Sequence, residues 1–195
     1  MMDNAVVYDF ETLSQDAVNG VVISFAMLSF DESRFITKPY EYEELLNNCH
    51  MIKFNVDEQV KEYGRSVQKD TIEWWKNQPK EAQYQLKPSE DDVSIVELYD
   101  FFIEHQPSDL KKLYTRGNTF DPVFFDYIMR DTDNVTPYPW WIVRDTRSLI
   151  DGMAWGTDLN NKFMPPTVGD KFVHHDPKHD IAIDVMRIQV LAQSL

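Results

Sequence analysis

Two kinds of apolar pattern alternate along the chain. Residues 5–10 (Ala-Val-Val-Tyr-Asp-Phe) and 21–30 (Val-Val-Ile-Ser-Phe-Ala-Met-Leu-Ser-Phe) are short runs dense in branched and aromatic side chains, and both predict strands. Residues 33–39, set off by Asp31-Glu32, predict a third strand, so the opening reads as an antiparallel meander. Helical spacing starts near Glu41 and recurs intermittently, with another strand predicted at 51–56. Asp70 with Glu73 three residues later suits a helix N-terminus, and that helix must stop before Pro79. Residues 94–105 carry apolar side chains at helical intervals, Leu113-Tyr114-Thr115 predicts a strand, and 120–129 predicts a helix with Asp121 in its first turn. Further helices are predicted at 145–153 and 180–195, separated by a loop over 160–175 that contains Pro165-Pro166 and Gly169. No repeat, low-complexity tract or linker divides residues 1–195, and the element order predicts one domain of mixed α/β class.

Composition narrows the classes. At 195 residues and 43% hydrophobic content, the chain can bury one sizeable core. The first predicted strand starts almost at residue 1, without a basic, apolar and small-residue leader pattern. No apolar run approaches the roughly 18 residues a membrane span requires. A soluble, cytoplasmic protein with no membrane partner is expected. Cys49 is the sole cysteine, which excludes an intrachain disulfide and a Cys-rich zinc site and is compatible with a reducing compartment. The formal charge of -14 argues against a polyanionic partner unless bound cations offset some of the acids. Taken alone, that charge favours a noncatalytic acidic protein that mimics DNA.

Candidate chemistry lies in acids spread over the whole chain. Alternate residues of a strand share a face, so Asp9 and Glu11 project together and can share a cation, while Phe10 points the other way toward the core. Asp121 opens a predicted helix, where an ordinary capping role is also available. His179 and Asp184 are five residues apart, which lets the histidine precede the last helix while Asp184 lies within it. Converging carboxylates can hold two divalent cations, and a nearby histidine can activate water against a phosphodiester. Trp74 and Trp75 offer faces for base stacking, but neighbours on a helix point about 100° apart, so core packing is expected for at least one. Arg116, Arg144 and Arg147 suit either phosphate contact or salt bridges within an acidic protein.

Taken together and in this order, these segments resemble the DEDDh branch of the DnaQ-like 3'-5' exonucleases. Thr71-Ile72-Glu73-Trp74-Trp75-Lys76-Asn77-Gln78, Arg116-Gly117-Asn118-Thr119-Phe120-Asp121 and His175-Asp176-Pro177-Lys178-His179-Asp180 are similar to the tailed-phage exodeoxyribonuclease A subgroup and to a bacterial exoribonuclease group. The resemblance runs from Tyr8 to the closing helix. It implies an RNase H-like fold, with a central mixed sheet, three antiparallel opening strands and flanking helices.

It also implies a site. Asp9, Glu11 and Asp184 would surround one of two divalent cations, Mg2+ or Mn2+, with Asp9 reaching the second and Asp121 supporting it. His179 would be the general base, since it alone has the five-residue spacing to Asp184; His174 and His175 are left to loop packing or substrate contact. Phe10, Thr12, Leu13 and Trp74 would border the terminal nucleotide, with Leu13 as the wedge. The implied activity releases nucleoside 5'-monophosphates from the 3' end of a single-stranded nucleic acid, DNA by preference and RNA as the alternative. The setting would be the cytoplasm, the host's if the protein is phage-encoded, and a homodimer is left open.

Overall fold

The computed structural model describes residues 4–194. Five strands form one sheet in the order β3-β2-β1-β4-β5: β1 (Ala5–Thr12), β2 (Val22–Phe30), β3 (His50–Lys53), β4 (Lys112–Thr115) and β5 (Val143–Asp145). The β1–β2 and β2–β3 pairs are antiparallel, whereas β1–β4 and β4–β5 are parallel. The eight helices described are α1 (Arg34–Thr37), α2 (Tyr42–Asn47), α3 (Val56–Glu62), α4 (Lys69–Trp75), α5 (Glu97–His105), α6 (Asp121–Asp131), α7 (Thr146–Met153) and α8 (Pro177–Ala192).

The alternation along β1 sorts the core into two layers. Val6, Tyr8 and Phe10 face one layer, where they meet Phe25, Met27, Leu98, Phe102 and Phe125. Ala5 and Val7 face the other, with Ala26, Leu28, Ile181, Val185 and Ile188. Asp9 and Glu11 continue this second row, so the sheet face that carries them is the face covered by α8. Burial of Ile181, Ala182, Val185, Met186 and Ile188 seats α8 against β1 and β2 and fixes what its first turns present to that row.

A register shift between Glu11 and Thr12 interrupts the β1–β2 ladder where the two acids end. Bulges of this kind bend a strand and re-aim its side chains. Gln59, fully buried on α3, takes the place of a strand partner there: its Oε1 accepts from Val22 N–H at 3.0 Å and its Nε2 donates to Val22 O at 2.7 Å. Gln59→Leu keeps the volume but orphans both backbone groups. A loss of about 2–4 kcal/mol in urea unfolding is expected, since each unsatisfied buried group costs about 1–3 kcal/mol.

Three predicted elements differ. Residues 33–39 contain the short helix α1, because Asp31 accepts from Ser33 N–H at 2.9 Å and turns the chain, after which Phe35 stacks on Phe30. The strand expected at 51–56 stops at Lys53, and Asn55 caps α3 by accepting from Glu58 N–H. The last helix starts at Pro177 instead of 180, with the Asp176 side chain accepting from Lys178 N–H as its cap. Residue 195 lies outside the described residues. Strand β5 had no sequence signal, being three residues long with two of them charged. Among the described residues, no helix is long and apolar enough to cross a membrane.

Candidate active site

A cavity of about 440 Å³ opens where the C-terminal half of β1 meets α6 and α8, and its lining includes Asp9, Glu11, Asp121, Asp180, His174 and His175. Each acid arrives by a local rule. Asp9 and Glu11 come from strand alternation. Asp121 is the first residue of α6, ahead of Pro122, but instead of capping its helix the carboxylate crosses to β1 and accepts from Phe10 N–H at 3.3 Å. Asp180 sits in the first turn of α8 and accepts from His175 N–H at 3.1 Å.

His175 lies just before the helix in the left-handed region, at φ 61, a conformation that costs energy for a side chain with a Cβ. Three contacts hold it there. Gln85 Nε2 donates to its carbonyl at 2.9 Å, Asp180 holds its N–H, and the Trp74 ring stands edge-on to the imidazole at 4.6 Å. Gln85 is itself bonded to Ser24 on β2, which ties the histidine to the sheet.

The electrostatics are those of a cation site. Burial, then the negative charges of Asp121, Glu11, Asp180 and Asp184, holds the Asp9 carboxyl well above the usual range. Burial followed by Asp180 and Asp121 does the same to Glu11. Burial pushes Asp121 up to about 7, and burial with Asp184 pushes Asp180 up to about 7. Four carboxylates that repel one another, two of them buried (Glu11 and Asp121) and two half-buried (Asp9 and Asp180), gain from cations placed between them. Ligand atoms of Glu11, His175 and Asp180 lie within 4.8 Å of one another, and a set dominated by carboxylate oxygens suits hard ions such as Mg2+ or Mn2+. The donor set therefore fits divalent cations.

The structure brings together Asp9, Glu11 and Asp121 as expected, but neither His179 nor Asp184 lines this cavity, although Asp184 lies close enough for its charge to raise both Asp9 and Asp180. His179 falls in the first turn of α8, not before the helix, and its Nδ1 lies 2.8 Å from the Tyr42 hydroxyl while accepting from Val173 N–H at 3.4 Å. Asp184 Oδ1 accepts from Arg116 at 2.6 Å and Arg187 at 2.8 Å, and Oδ2 from the Thr146 hydroxyl. His175 and Asp180 line the cavity together with Asp9, Glu11 and Asp121. The pair was legible: His175 is five residues before Asp180, the same spacing, and Asp176-Pro177 is an N-cap followed by proline, which marks the helix start after His175.

The expected substrate contacts divide similarly. The Phe10 ring is packed among Tyr8, Phe25, Phe124 and Phe125. Leu13 is buried with Val21, Ile23, Trp75 and Ala82 and lines a separate cavity of about 310 Å³, so it is not an exposed wedge. Thr12 donates its hydroxyl to Ser14 O, and its carbonyl accepts from the indole of fully buried Trp75 at 2.9 Å. Trp74 is 42% exposed and borders a groove with Glu11, Thr12, Gln15, Asp70, Thr71 and Phe120.

Comparisons with known proteins bear on the family and the fold. A family model described as the 3'-5' exoribonuclease Rv2179c-like domain matches residues 4–183. An exodeoxyribonuclease of Enterobacteria phage T4 is 31% identical over 201 residues, covering 94% of this chain and 86% of the relative. The zinc-bound E. coli exonuclease I–ssDNA complex superposes with a TM-score of 0.59 at 13% identity, over 99% of this chain and 40% of that one. Product-bound exonuclease I gives 0.58 at 13% identity, over 99% and 43%. This chain thus spans less than half of the exonuclease I chains, and that likeness carries the RNase H-like, DnaQ-type fold. By sequence and by fold, the chain belongs to the 3'-5' exoribonuclease Rv2179c-like family, and is a DnaQ-like nuclease that hydrolyses nucleic acid as a 3'-5' exonuclease.

Proposed function

We propose that this single domain removes nucleoside 5'-monophosphates from the 3' end of single-stranded DNA with two divalent cations, Mg2+ or Mn2+. The observation that carries the reading is the convergence of Asp9, Glu11, Asp121, Asp180 and His175 on one cavity. The four acids would hold the cations, which supply charge neutralisation and Lewis-acid polarisation of the phosphodiester.

The residues themselves do the rest. His175 takes the proton from the attacking water. Burial, with His174 beside it, holds its imidazole below the usual histidine range, so the ring is neutral and ready to accept at neutral pH. The nearby carboxylates of Glu11 and Asp180 stabilise the imidazolium as it forms. Trp74 stacks on the terminal base, a sequence-tolerant contact worth about 1–3 kcal/mol. Thr12 and Asp70 border the same groove and face the sugar of that nucleotide.

The preference for DNA is supported by the phage relative, which is named an exodeoxyribonuclease, and by exonuclease I, whose complex contains single-stranded DNA. RNA is the second reading, favoured by the family description. Matched end-labelled DNA and RNA oligomers with Mg2+, Mn2+ or EDTA, and products identified by mass, test both. Cation-dependent release of 5'-monophosphates, faster from DNA, is expected. Faster release from RNA would select the exoribonuclease reading, and recovery of 3'-monophosphates alone would refute the assigned direction of attack.

A further inference from the structure

The same cavity carries Arg116, Arg147, Lys162 and Arg187 among its lining, an accumulation of positive charge in a protein whose net charge is -14. Two of these cations are tied to one carboxylate. Asp184 Oδ1 accepts from both Arg116 Nη1 and Arg187 Nη1, and its side chain is 2% exposed. Arg116 Nη2 also donates to the carbonyl and side-chain oxygens of Asn161 at 2.8 and 3.0 Å, while Asn161 is anchored by donating to Asp151. These contacts fix the guanidinium plane at the end of β4 using the Nη atoms. Among the described residues the Arg116 Nε has no protein acceptor, and its side chain keeps 22% exposure on the cavity.

Resting on the hydrolase reading above, we propose that Arg116, which lines the same cavity as the acids, contacts the reacting phosphate. We assign Asp184 as the positioning residue that holds it there, not as a cation ligand. A guanidinium fixed before the reaction offers charge where negative charge builds up on phosphate, and needs no reorganisation at that moment. Using Asp184 as a ligand instead would take its oxygen from Arg187, a buried cation whose side chain is 8% exposed, and a buried charge left unpaired is strongly destabilising. Arginines lining the same cavity as the acids also explain how so acidic a protein admits a polyanion: the phosphate would meet guanidinium and acid-bound cations, both positive.

The test uses the full chain and a minimal substrate, the p-nitrophenyl ester of thymidine 5'-monophosphate, whose one phosphate is the scissile one. Arg116→Gln and Asp184→Asn are each expected to lower kcat by about 100-fold, as removal of a preorganised charge-stabilising donor does. The double variant should be no slower than either single one, because the two act as a unit. Calorimetric titration of EDTA-stripped protein with Mn2+ should give wild-type affinity for both, whereas Asp180→Asn loses it. Loss of Mn2+ binding in Asp184→Asn would make that residue a ligand and overturn the assignment, as would wild-type turnover in Arg116→Gln. If Asp184→Asn does not fold, Arg116→Gln decides, because its kcat and its Mn2+ affinity test the phosphate contact directly. A wild-type protein inert toward the ester with either cation would instead sink the hydrolase reading on which this rests.

Discussion

His175→Ala and Asp180→Asn will each reduce turnover of a single-stranded oligonucleotide by about 1,000-fold, while His179→Ala will stay within about tenfold of wild type. The first figure is within the range for removing a general base, about 10²–10⁴-fold. The contrast follows from helix geometry. Residues 175 and 179 are one turn apart, but α8 begins at Pro177, so His175 is free of the helix and held over the acids, whereas His179 is fixed on the flank that meets Tyr42. Five residues along a helix rotate a side chain by roughly 500°, leaving His179 and Asp184 roughly 140° apart around the axis. They cannot serve one small cavity. His179 anchors Val173 N–H, two residues before His175, so a modest effect through the loop is expected. Single-turnover rates of folded variants check the ordering; equal losses in His175→Ala and His179→Ala would contradict it.

Without cations the protein will be more stable at pH 5 than at pH 8, with Tm higher by roughly 5–10 °C, a shift that several kcal/mol produces in a chain this long. Asp121 and Asp180 titrate near 7 in the folded state, with Asp9 and Glu11 also raised, against about 4 in an unfolded chain. Above pH 7 the acids are ionised in both states and their mutual repulsion weighs on the native state alone. As pH falls through the folded values, the native state binds protons that the unfolded chain does not, and stability rises until the unfolded acids also protonate near pH 4.

Saturating Mg2+ or Mn2+ should raise Tm at pH 8 and flatten this dependence, since bound ions stabilise the native state by mass action and offset the same repulsion. General surface repulsion also eases on acidification. Asp180→Asn separates the two, because one neutralised acid should raise the cation-free Tm at pH 8 and weaken the response to Mn2+. A pH 8 Tm unchanged by this substitution would show that the cluster carries no such strain. The measurement is differential scanning calorimetry in EDTA and in Mn2+.

The elements legible in the sequence were those whose local pattern and tertiary role agree. β1 and β2 are dense β-branched and aromatic runs buried on both faces, and α5 and α6 carry apolar side chains at helical spacing that do face the core. Residues 33–39 misled because Phe35, Ile36 and Thr37 favour strands in isolation. There Asp31 turned the chain, and Arg34, paired to Glu44 and lying over the Tyr40 ring, holds the resulting helix. Leu13 looked like a wedge by its place after the acids, yet the bulge at Glu11–Thr12 turns it inward to Trp75.

By itself the sequence determined the family, the mixed α/β class and the shared face of Asp9 and Glu11, because motif identity and strand alternation are local properties. Residue spacing alone could not choose between His175–Asp180 and His179–Asp184, two pairs with identical intervals, although Asp176-Pro177 marked the helix start after His175. Asp180 and Asp184 even share a face of α8, roughly 40° apart, so periodicity cannot separate them. Which of them reaches the cavity depends on how far α8 extends along the sheet, a tertiary property. The Asp176 cap and Pro177 fix where the helix begins, and packing of Ile181, Val185 and Ile188 on β1 and β2 sets Asp180 level with Glu11. Asp184 lies about 6 Å further along the axis, where Arg116 and Arg187 meet it, so Asp180 lines the cavity while Asp184 is paired to two arginines.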